Sequence, residues 1–180
     1  QASEASSRAP LPGLPCLDRL RDVSDVELLE LFQQTERVVR EANATKAQIA
    51  GEMKRRSPVS AGHSGLAARL GEKSPERLIQ RLTGVGAGEA RQLTATGVLM
   101  QDAESGTSPW LAPVADAVAS GELSVGAAAA VANGLGERVD GVSIDEQTAA
   151  TAELIEFARV ATPEETANRA RAVRDELDTT

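Results

Sequence analysis

Signals that begin α-helices recur along this 180-residue chain, and they limit the folds that it can adopt. Five predicted helix starts carry a serine or threonine at the N-cap, followed by proline at the next position or by glutamate three residues later: Ser24 with Glu27, Ser74 with Pro75, Ser108 with Pro109, Ser143 with Glu146, and Thr162 with Pro163 and Glu165. The hydroxyl and the carboxylate of such a pair satisfy amides that a helix start leaves without partners. Proline at the first helical position loses no hydrogen bond. The pattern predicts several helices, spread over the chain from residue 24 onward.

The composition agrees with a helical fold and restricts the kind of core that it can have. Alanine supplies 31 residues, whereas only Phe32, Trp110 and Phe157 are aromatic. Alanine favours helices, and the strands of a β-sandwich or barrel need the branched and aromatic side chains that are scarce here. We therefore predict an all-α fold with a closely packed core of small residues. No apolar run approaches the roughly 18 residues of a membrane span, so we predict no membrane partner.

The order of the signals predicts a flexible lead rich in proline and serine over residues 1–23 and one helical domain over residues 24–180. A long helix is predicted to begin at Ser24 and to end before Ser57 and Pro58. Apolar or small residues recur along it at intervals of three or four, interrupted once by Lys46: Leu28, Phe32, Thr35, Val39, Ala42, Ile49 and Met53. We expect this stripe to pack against a bundle of later helices or against a second chain.

Shorter helices are predicted after a loop rich in serine, glycine and proline at residues 57–65. One covers residues 65–70, a second begins at Ser74 and ends at Gly84, and a third begins at Gly86. Two helices joined by a glycine turn are typical of a helix-turn-helix unit. Later helices are predicted to begin near Ser108, Ser124, Ser143 and Thr162, with Gly121 and Gly134 ending two of them, and with Ala149, Ala152, Ile155 and Ala158 facing inward in another.

Two reactive residue types occur only once, which excludes several kinds of site within one chain. Cys16 is the only cysteine and His63 the only histidine, so an internal disulfide, a zinc finger and a multi-histidine metal centre cannot form. No nearby pattern supports catalysis by His63, which we predict to cap or pack against the following helix. We predict no catalytic residue, metal or cofactor here, and the lone thiol indicates a reducing, cytoplasmic location. Because the chain begins at Gln1, we predict that it is part of a longer protein.

Charge is distributed unevenly along the chain. Residues 52–91 contain eight basic and four acidic side chains, residues 101–166 contain two basic and twelve acidic ones, and the whole chain has a net charge of −8. A local basic patch can neutralise phosphates whatever the net charge of the protein. We predict that DNA contacts this patch through eight residues: Lys54, Arg55, Arg56, Lys73, Arg77, Arg81, Arg91 and Gln92. The alternative is a solvated helix surface with ordinary ion pairs, such as Lys73 and Arg77 near Glu76.

In the predicted helix-turn-helix unit, Arg91 and Gln92 lie near the start of the second helix, where such side chains can reach bases or phosphates. Ala87 and Gly88 precede them, at the positions that would enter a groove first. Neither can hydrogen-bond through its side chain. The pattern therefore favours contact with phosphates over direct reading of bases.

Four stretches, in this order, resemble a known family: GHSGLAARLG, LTGVGAGEARQL, VADAVASGELSVGAAAAVANGL and ELIEFARVATPEETANRARAVRDELD. Over residues 24–178 the chain is similar to the helical domain of unknown function 222, the 13E12 repeat family of actinobacteria, which precedes a C-terminal HNH endonuclease domain. The most specific pieces are residues 121–124, between two alanine-rich helices, and residues 158–164. The chain departs from the family at Gly86 and Ala87, where a serine cap followed by a basic residue is usual.

The resemblance implies a DNA-associated protein whose nuclease activity, with its divalent metal, belongs to an HNH module that needs several histidines. We therefore predict a non-catalytic DNA-binding or DNA-positioning module of an HNH-endonuclease-type protein. The alternative is a protein-interaction or dimerisation scaffold, in which the long helix pairs with a partner or with a second copy. A stand-alone enzyme is disfavoured because no paired acid, base or nucleophile is visible.

Overall fold

The computed structural model describes residues 20–179, which contain α-helices, short 3₁₀ segments and no strand. The helices are α1 Asp25–Arg55, α2 Leu66–Arg69, α3 Pro75–Thr83, α4 Ala87–Glu104, α5 Ala112–Ala119, α6 Val125–Leu135, α7 Ile144–Ala158 and α8 Pro163–Asp178. The predicted all-α fold with a long N-terminal helix is confirmed. Most of the predicted lead, residues 1–19, lies outside the described residues. The chain divides into two compact units, residues 1–39 and residues 40–180.

The helix starts use the residues that the sequence indicates. At α7, the Glu146 amide donates a hydrogen bond to the Ser143 hydroxyl at 3.2 Å, and the Ser143 amide donates one to the Glu146 carboxylate at 3.0 Å. Hydrogen bonds from the Ser143 hydroxyl and amide lower the pKa of Glu146. The same reciprocal bonds join Thr162 and Glu165 at α8. The predicted helix starts at Ser143 and Thr162 are therefore confirmed as capping boxes.

In the first unit, the described structure is mainly the first part of α1. The Ser24 amide donates a hydrogen bond to the Glu27 carboxylate at 2.8 Å, and the Glu27 amide donates one to the Ser24 hydroxyl at 3.3 Å, so the predicted capping box forms here too. Large apolar side chains of this part are exposed: Val26, Leu28, Leu29, Phe32, Val38 and Val39. The predicted stripe is therefore not buried within this unit.

The second unit is built around one large apolar cluster from α4 to α8. Val114 of α5, Val131 of α6 and Leu154 of α7 are almost completely buried at its centre. Trp110 lies in a 3₁₀ turn before α5 and belongs to the same cluster, as does Ala170 of α8. Alanines and valines fill most positions, as a small-residue core requires. None of the helices within residues 20–179 is both long and apolar enough to cross a membrane.

A smaller apolar cluster joins the second part of α1 to α3 and α4. Ala47 and Ala50 of α1 pack there with Ile79 of α3 and with Ala90 and Leu93 of α4. Burial of these side chains stabilises the arrangement because apolar surface is removed from water. This cluster positions the predicted basic patch, which is carried on and between the same three helices.

The crossing of α1 and α4 depends on two glycines. A Cβ atom on Gly97 would lie 2.5 Å from the Gly51 nitrogen and would also clash with the Ala47 carbonyl oxygen. A Cβ atom on Gly51 would lie 2.5 Å from the Gly97 carbonyl carbon. No side chain fits between the two backbones, so these helices touch along their main chains.

Gly134 has a similar role where α6 crosses α8. A Cβ atom on Gly134 would lie 3.1 Å from the Ala167 carbonyl oxygen and would clash with the Ala170 methyl group. The sequence predicts Gly134 as the end of α6, and this is wrong because the helix continues to Leu135. Close packing on α8, and not termination of the helix, explains the glycine.

The packing face of α1 in the second unit also differs from the predicted one. The buried residues of this part are Ala44, Ala47, Ala50 and Gly51, whereas Ile49 of the predicted stripe is 57% exposed. Small residues face the neighbouring helices because only they permit the close approach at the α1–α4 crossing. Met53 is the stripe residue that does pack against the smaller cluster.

Helix α7 buries Ile155 and Ala158, as the sequence predicts, but the rest of its buried face differs from the prediction. Ala149 and Ala152, which are expected to face inward, are exposed. Gln147 and Thr151 are fully buried instead. The Gln147 carboxamide oxygen accepts from the Val139 amide at 3.4 Å, and the Thr151 hydroxyl donates to the Gln147 carbonyl at 2.8 Å. A paired polar group can be buried at little cost. The Gln147 carboxamide nitrogen is buried without a hydrogen-bond partner among residues 20–179.

Helices α3 and α4 form the predicted helix-turn-helix-like unit. The Ser74 hydroxyl accepts a hydrogen bond from the Arg77 amide at 3.3 Å at the start of α3. Gly84 follows α3 with a φ of 76°, a left-handed conformation that glycine adopts without strain. Gly86 precedes α4 and supplies no side-chain cap. Helix α4 has 18 residues and extends well beyond this unit into the main cluster.

Candidate nucleic-acid interface

The eight predicted contact residues are all exposed. Their positions are Lys54 and Arg55 in the last turn of α1, Arg56 directly after it, Lys73 before α3, Arg77 and Arg81 on α3, and Arg91 and Gln92 on α4. The smaller apolar cluster connects these three helices, so residues distant in sequence are carried by one packed group of elements.

Glu52 holds two of the predicted arginines. Its carboxylate accepts hydrogen bonds from the Arg55 and Arg56 guanidinium groups, each at 2.6 Å. The hydrogen bonds from Arg55 and Arg56, reinforced by their positive charge, lower the pKa of Glu52 from 4.5 to about 2. One ionised carboxylate therefore compensates half of the charge that these two arginines bring to the surface.

Two further predicted residues are paired with glutamates. Lys54 lies 3.3 Å from Glu76, and Arg81 lies 3.3 Å from Glu72. Burial raises the pKa of Glu76, but hydrogen bonds from Ser74, from its own backbone and from Lys54 outweigh this effect and lower the pKa overall. The ion pair of Glu76 therefore involves Lys54, and not Lys73 or Arg77 as the alternative hypothesis proposes.

Three predicted residues, Lys73, Arg77 and Arg91, form no ion pair with any residue in the part of the chain that the structure describes. Arg69, in the last turn of α2, is also exposed and without an acidic partner among residues 20–179. Arg69 belongs to the basic stretch of residues 52–91 but is not among the eight predicted contact residues, and its charge is the only signal for it in the sequence. These four side chains keep their full charge for a ligand.

Two concave surfaces meet at Lys54. A cleft of about 720 Å³ is lined by Lys54, Arg91 and Gln92, together with Gly88 and residues of α6. A hollow of about 300 Å³ is lined by Lys54, Lys73 and the loop that follows α1. The shared lysine therefore connects Lys73 on one side with Arg91 and Gln92 on the other.

The cleft also contains groups that the sequence does not predict. Asn133 of α6 lines it opposite the α4 residues, and Asp102 and Glu76 add carboxylates to its wall. Asn133 reaches this position because α6 packs on α4, where the buried Thr96 hydroxyl donates a hydrogen bond to the Val125 carbonyl at 3.0 Å. No spacing in the sequence indicates this contact, since α6 reads as a plain alanine-rich helix.

His63 lies in the 3₁₀ segment Val59–Ser64 and is exposed. Its side chain makes no hydrogen bond with the residues that the structure describes, so it is not placed as a helix cap. Within residues 20–179, no three histidine, cysteine, aspartate or glutamate side chains are grouped closely enough to hold a metal ion.

Comparison of the chain with protein-family profiles, with curated proteins and with solved structures finds no significant match. The resemblance to the domain of unknown function 222 therefore stays a prediction from the sequence.

Proposed function

We propose that this chain is a non-catalytic helical module that binds DNA through the sugar-phosphate backbone. The main support for the proposal is the position of three basic residues in two concave surfaces. Lys54 lines both surfaces, Arg91 lines the cleft, and Lys73 lines the hollow. Lys73 and Arg91 have no acidic partner within residues 20–179. Cations placed in this way neutralise phosphates and release counterions, which supplies affinity without reading sequence.

The start of α4 supports the same function. Gly86 provides no side-chain cap, and a Cβ atom on Gly88 would meet no neighbouring group within 4 Å. Gly88 lines the cleft beside Arg91 and Gln92. Amides at a helix start carry partial positive charge and favour anions. A phosphate in the cleft would therefore meet backbone amides as well as the arginine.

Ion pairs within the patch reduce the positive charge that some of its residues offer to a phosphate. Glu52 accepts hydrogen bonds from Arg55 and Arg56, but a guanidinium has five N–H donors, and most of them remain available. Lys54 is shared with Glu76 in the same way. These residues are expected to contribute less to phosphate binding than Lys73, Arg77 and Arg91.

Duplex binding, measured by fluorescence anisotropy at several KCl concentrations, tests the proposal. Joint replacement of Lys73, Arg77 and Arg91 by alanine is expected to weaken binding about tenfold or more at low salt and to reduce the slope of log K against log salt by about 0.9 per lost contact. Arg138→Ala is the matched control, because Arg138 is exposed and lies in the acidic stretch. An unchanged slope in the triple variant, or an equal loss in the control, would reject the proposal.

Glu52→Gln is a variant expected to increase binding. It removes the carboxylate charge that Arg55 and Arg56 share and leaves the helix otherwise intact. We expect severalfold tighter duplex binding at low salt and a steeper salt dependence. The control is Glu104→Gln, which removes one exposed negative charge at the end of α4, outside both concave surfaces of the patch.

A role in positioning DNA for an HNH nuclease module is supported by the sequence resemblance alone, and the divalent metal of that chemistry would belong to the nuclease module. The rival function, a protein-interaction scaffold, is favoured by one observation, the exposed apolar side chains on the first part of α1. A dimer that persists in high salt and does not bind DNA would favour the scaffold over the DNA-binding module.

A further inference from the structure

The first part of α1 carries an apolar face that the chain leaves exposed. Leu28, Phe32 and Val39 are 46%, 71% and 44% exposed. At 3.6 residues per turn, these positions and Thr35 fall within an arc of about 60°. Val38 adds a further exposed side chain beside this arc. An exposed apolar strip of this kind is typical of an interaction surface.

The spacing along this face is that of a two-helix seam. Positions 28, 32, 35 and 39 follow one another at intervals of four, three and four, as the a and d positions of a heptad repeat do. Glu30, Arg37 and Arg40 lie on other sides of the helix, away from the seam. The face is therefore suited to another helix with the same spacing.

We infer that α1 pairs through this face with α1 of a second copy of the chain, in antiparallel orientation. In an antiparallel pair, a positions face d positions, so Phe32 meets Thr35 and Leu28 meets Val39. Each pair of facing residues, one from each copy, then combines a larger with a smaller side chain, which fills the space between the helices evenly. A parallel pair would instead place Phe32 against Phe32 and Thr35 against Thr35.

The charges on α1 favour the same orientation. Residues 22–30 contain four acidic and no basic side chains, whereas residues 37–46 contain three basic and one acidic. A parallel pair aligns the acidic stretches of both copies, and like charges repel. An antiparallel pair brings the acidic stretch of one copy beside the basic stretch of the other and also opposes the two helix dipoles.

Sedimentation equilibrium of the full chain, from 1 to 200 µM, tests the pairing. We expect a reversible dimer with a dissociation constant on the order of micromolar, because the seam is only about four layers long. Phe32→Glu is expected to raise that constant at least about 100-fold, since it places a charge at the centre of the seam. Circular dichroism checks that the variant is folded, which the exposure of Phe32 leads us to expect.

Val160→Glu is the matched control for this change. Val160 is 90% exposed and lies after α7, outside the seam. We expect it to leave the dimer unaffected. A full chain that is monomeric at 200 µM, including one whose residues 1–19 cover the seam, would overturn the inference. So would a dimer that Phe32→Glu does not weaken.

Cysteine cross-linking in a Cys16→Ser background tests the orientation. Leu28→Cys and Val39→Cys chains are oxidised alone and as a mixture. In an antiparallel pair, position 28 of one copy faces position 39 of the other, while equal positions are about 16 Å apart along the axis, too far for a disulfide. Cross-linked dimers are expected in the mixture only. Efficient cross-linking of Leu28→Cys with itself would show a parallel pair and overturn the antiparallel arrangement.

The inference does not depend on the proposed DNA binding. A salt-insensitive dimer is expected even when the triple alanine variant of the basic patch no longer binds DNA. If both hold, the dimer carries two patches, and a long duplex that engages both is expected to bind more tightly than a short one.

Discussion

The two parts of α1 use apolar residues in opposite ways. Residues 25–39 expose their large apolar side chains, among them Phe32 at 71%. Residues 40–55 bury only alanine and glycine and leave Ile49 57% exposed. Hydrophobicity alone would assign burial to the large side chains in both parts. In this helix, burial follows the distance between backbones and not the apolar character of the side chain.

The contrast has a simple physical origin. Where Gly51 of α1 meets Gly97 of α4, the backbones are in contact, and larger side chains have no room. Dense packing against many atoms then compensates for the small apolar area of each alanine. In the first part of α1, the large apolar side chains are exposed.

Gly97→Ala should have the largest effect on stability. The added Cβ would clash with the Ala47 carbonyl and lie 2.5 Å from the Gly51 nitrogen, all of them backbone atoms that cannot rotate away. We expect the free energy of unfolding to fall by about 3 kcal/mol, measured by urea denaturation. Gly88→Ala, in the same helix but surrounded by open space, should be neutral or slightly stabilising. Equal stability of both variants would remove the basis of the contrast.

Gly134→Ala tests whether the same rule holds at the α6–α8 crossing. Its Cβ would clash with the Ala170 methyl group, a side chain that can be removed. We expect a loss of about 2 kcal/mol, and partial recovery when Ala170→Gly is added. The double-mutant cycle in urea checks this coupling. Additive losses in the double variant would show that the crossing is not limited by that contact.

These crossings also define how far the sequence predicts the structure. Ser74, Ser143 and Thr162 mark helix starts correctly because a cap is a local interaction within a few residues. The packing face of α1 in the second unit and the part of the α7 face that contains Ala149 and Ala152 are predicted wrongly, because a packing face depends on which helix lies opposite. Gly134 illustrates the limit, since a glycine that ends a helix and one that permits a crossing look alike in sequence.

The same distinction applies to the candidate site. The sequence selects Lys54, Lys73 and Arg91 by charge. In the structure, Lys54 lines the cleft together with Arg91 and the hollow together with Lys73. The partners of the basic residues were less predictable. Glu52 with Arg55 follows a helical spacing of three, but the pair of Lys54 and Glu76 joins two helices across a loop. Only the tertiary arrangement determines such pairs.

Ile49→Gln and Ala47→Leu make opposite changes on neighbouring faces of α1. Ile49→Gln makes an exposed position polar, and we expect the free energy of unfolding to change by less than about 0.5 kcal/mol. Ala47→Leu makes a fully buried position more apolar, and we expect a loss of about 1–3 kcal/mol through overpacking. Thermal and urea denaturation measure both. The contrast fails if the apolar variant is the more stable of the two.

Glu52 extends the contrast to the polar surface of the second part of α1, where the expected effect is smallest. The pKa of Glu52 is lowered from 4.5 to about 2, so the ion pairs with Arg55 and Arg56 favour the folded state fully above about pH 5. This contribution is lost as the pH falls from about 4.5 toward 2, because the carboxylate is protonated more readily in the unfolded chain. The stability difference between the natural chain and Glu52→Gln should therefore be constant from pH 7 to 5 and should shrink below pH 4.5. Urea denaturation at pH 7, 5, 4 and 3 measures it, and a difference that grows on acidification would contradict the ion pairs with Arg55 and Arg56.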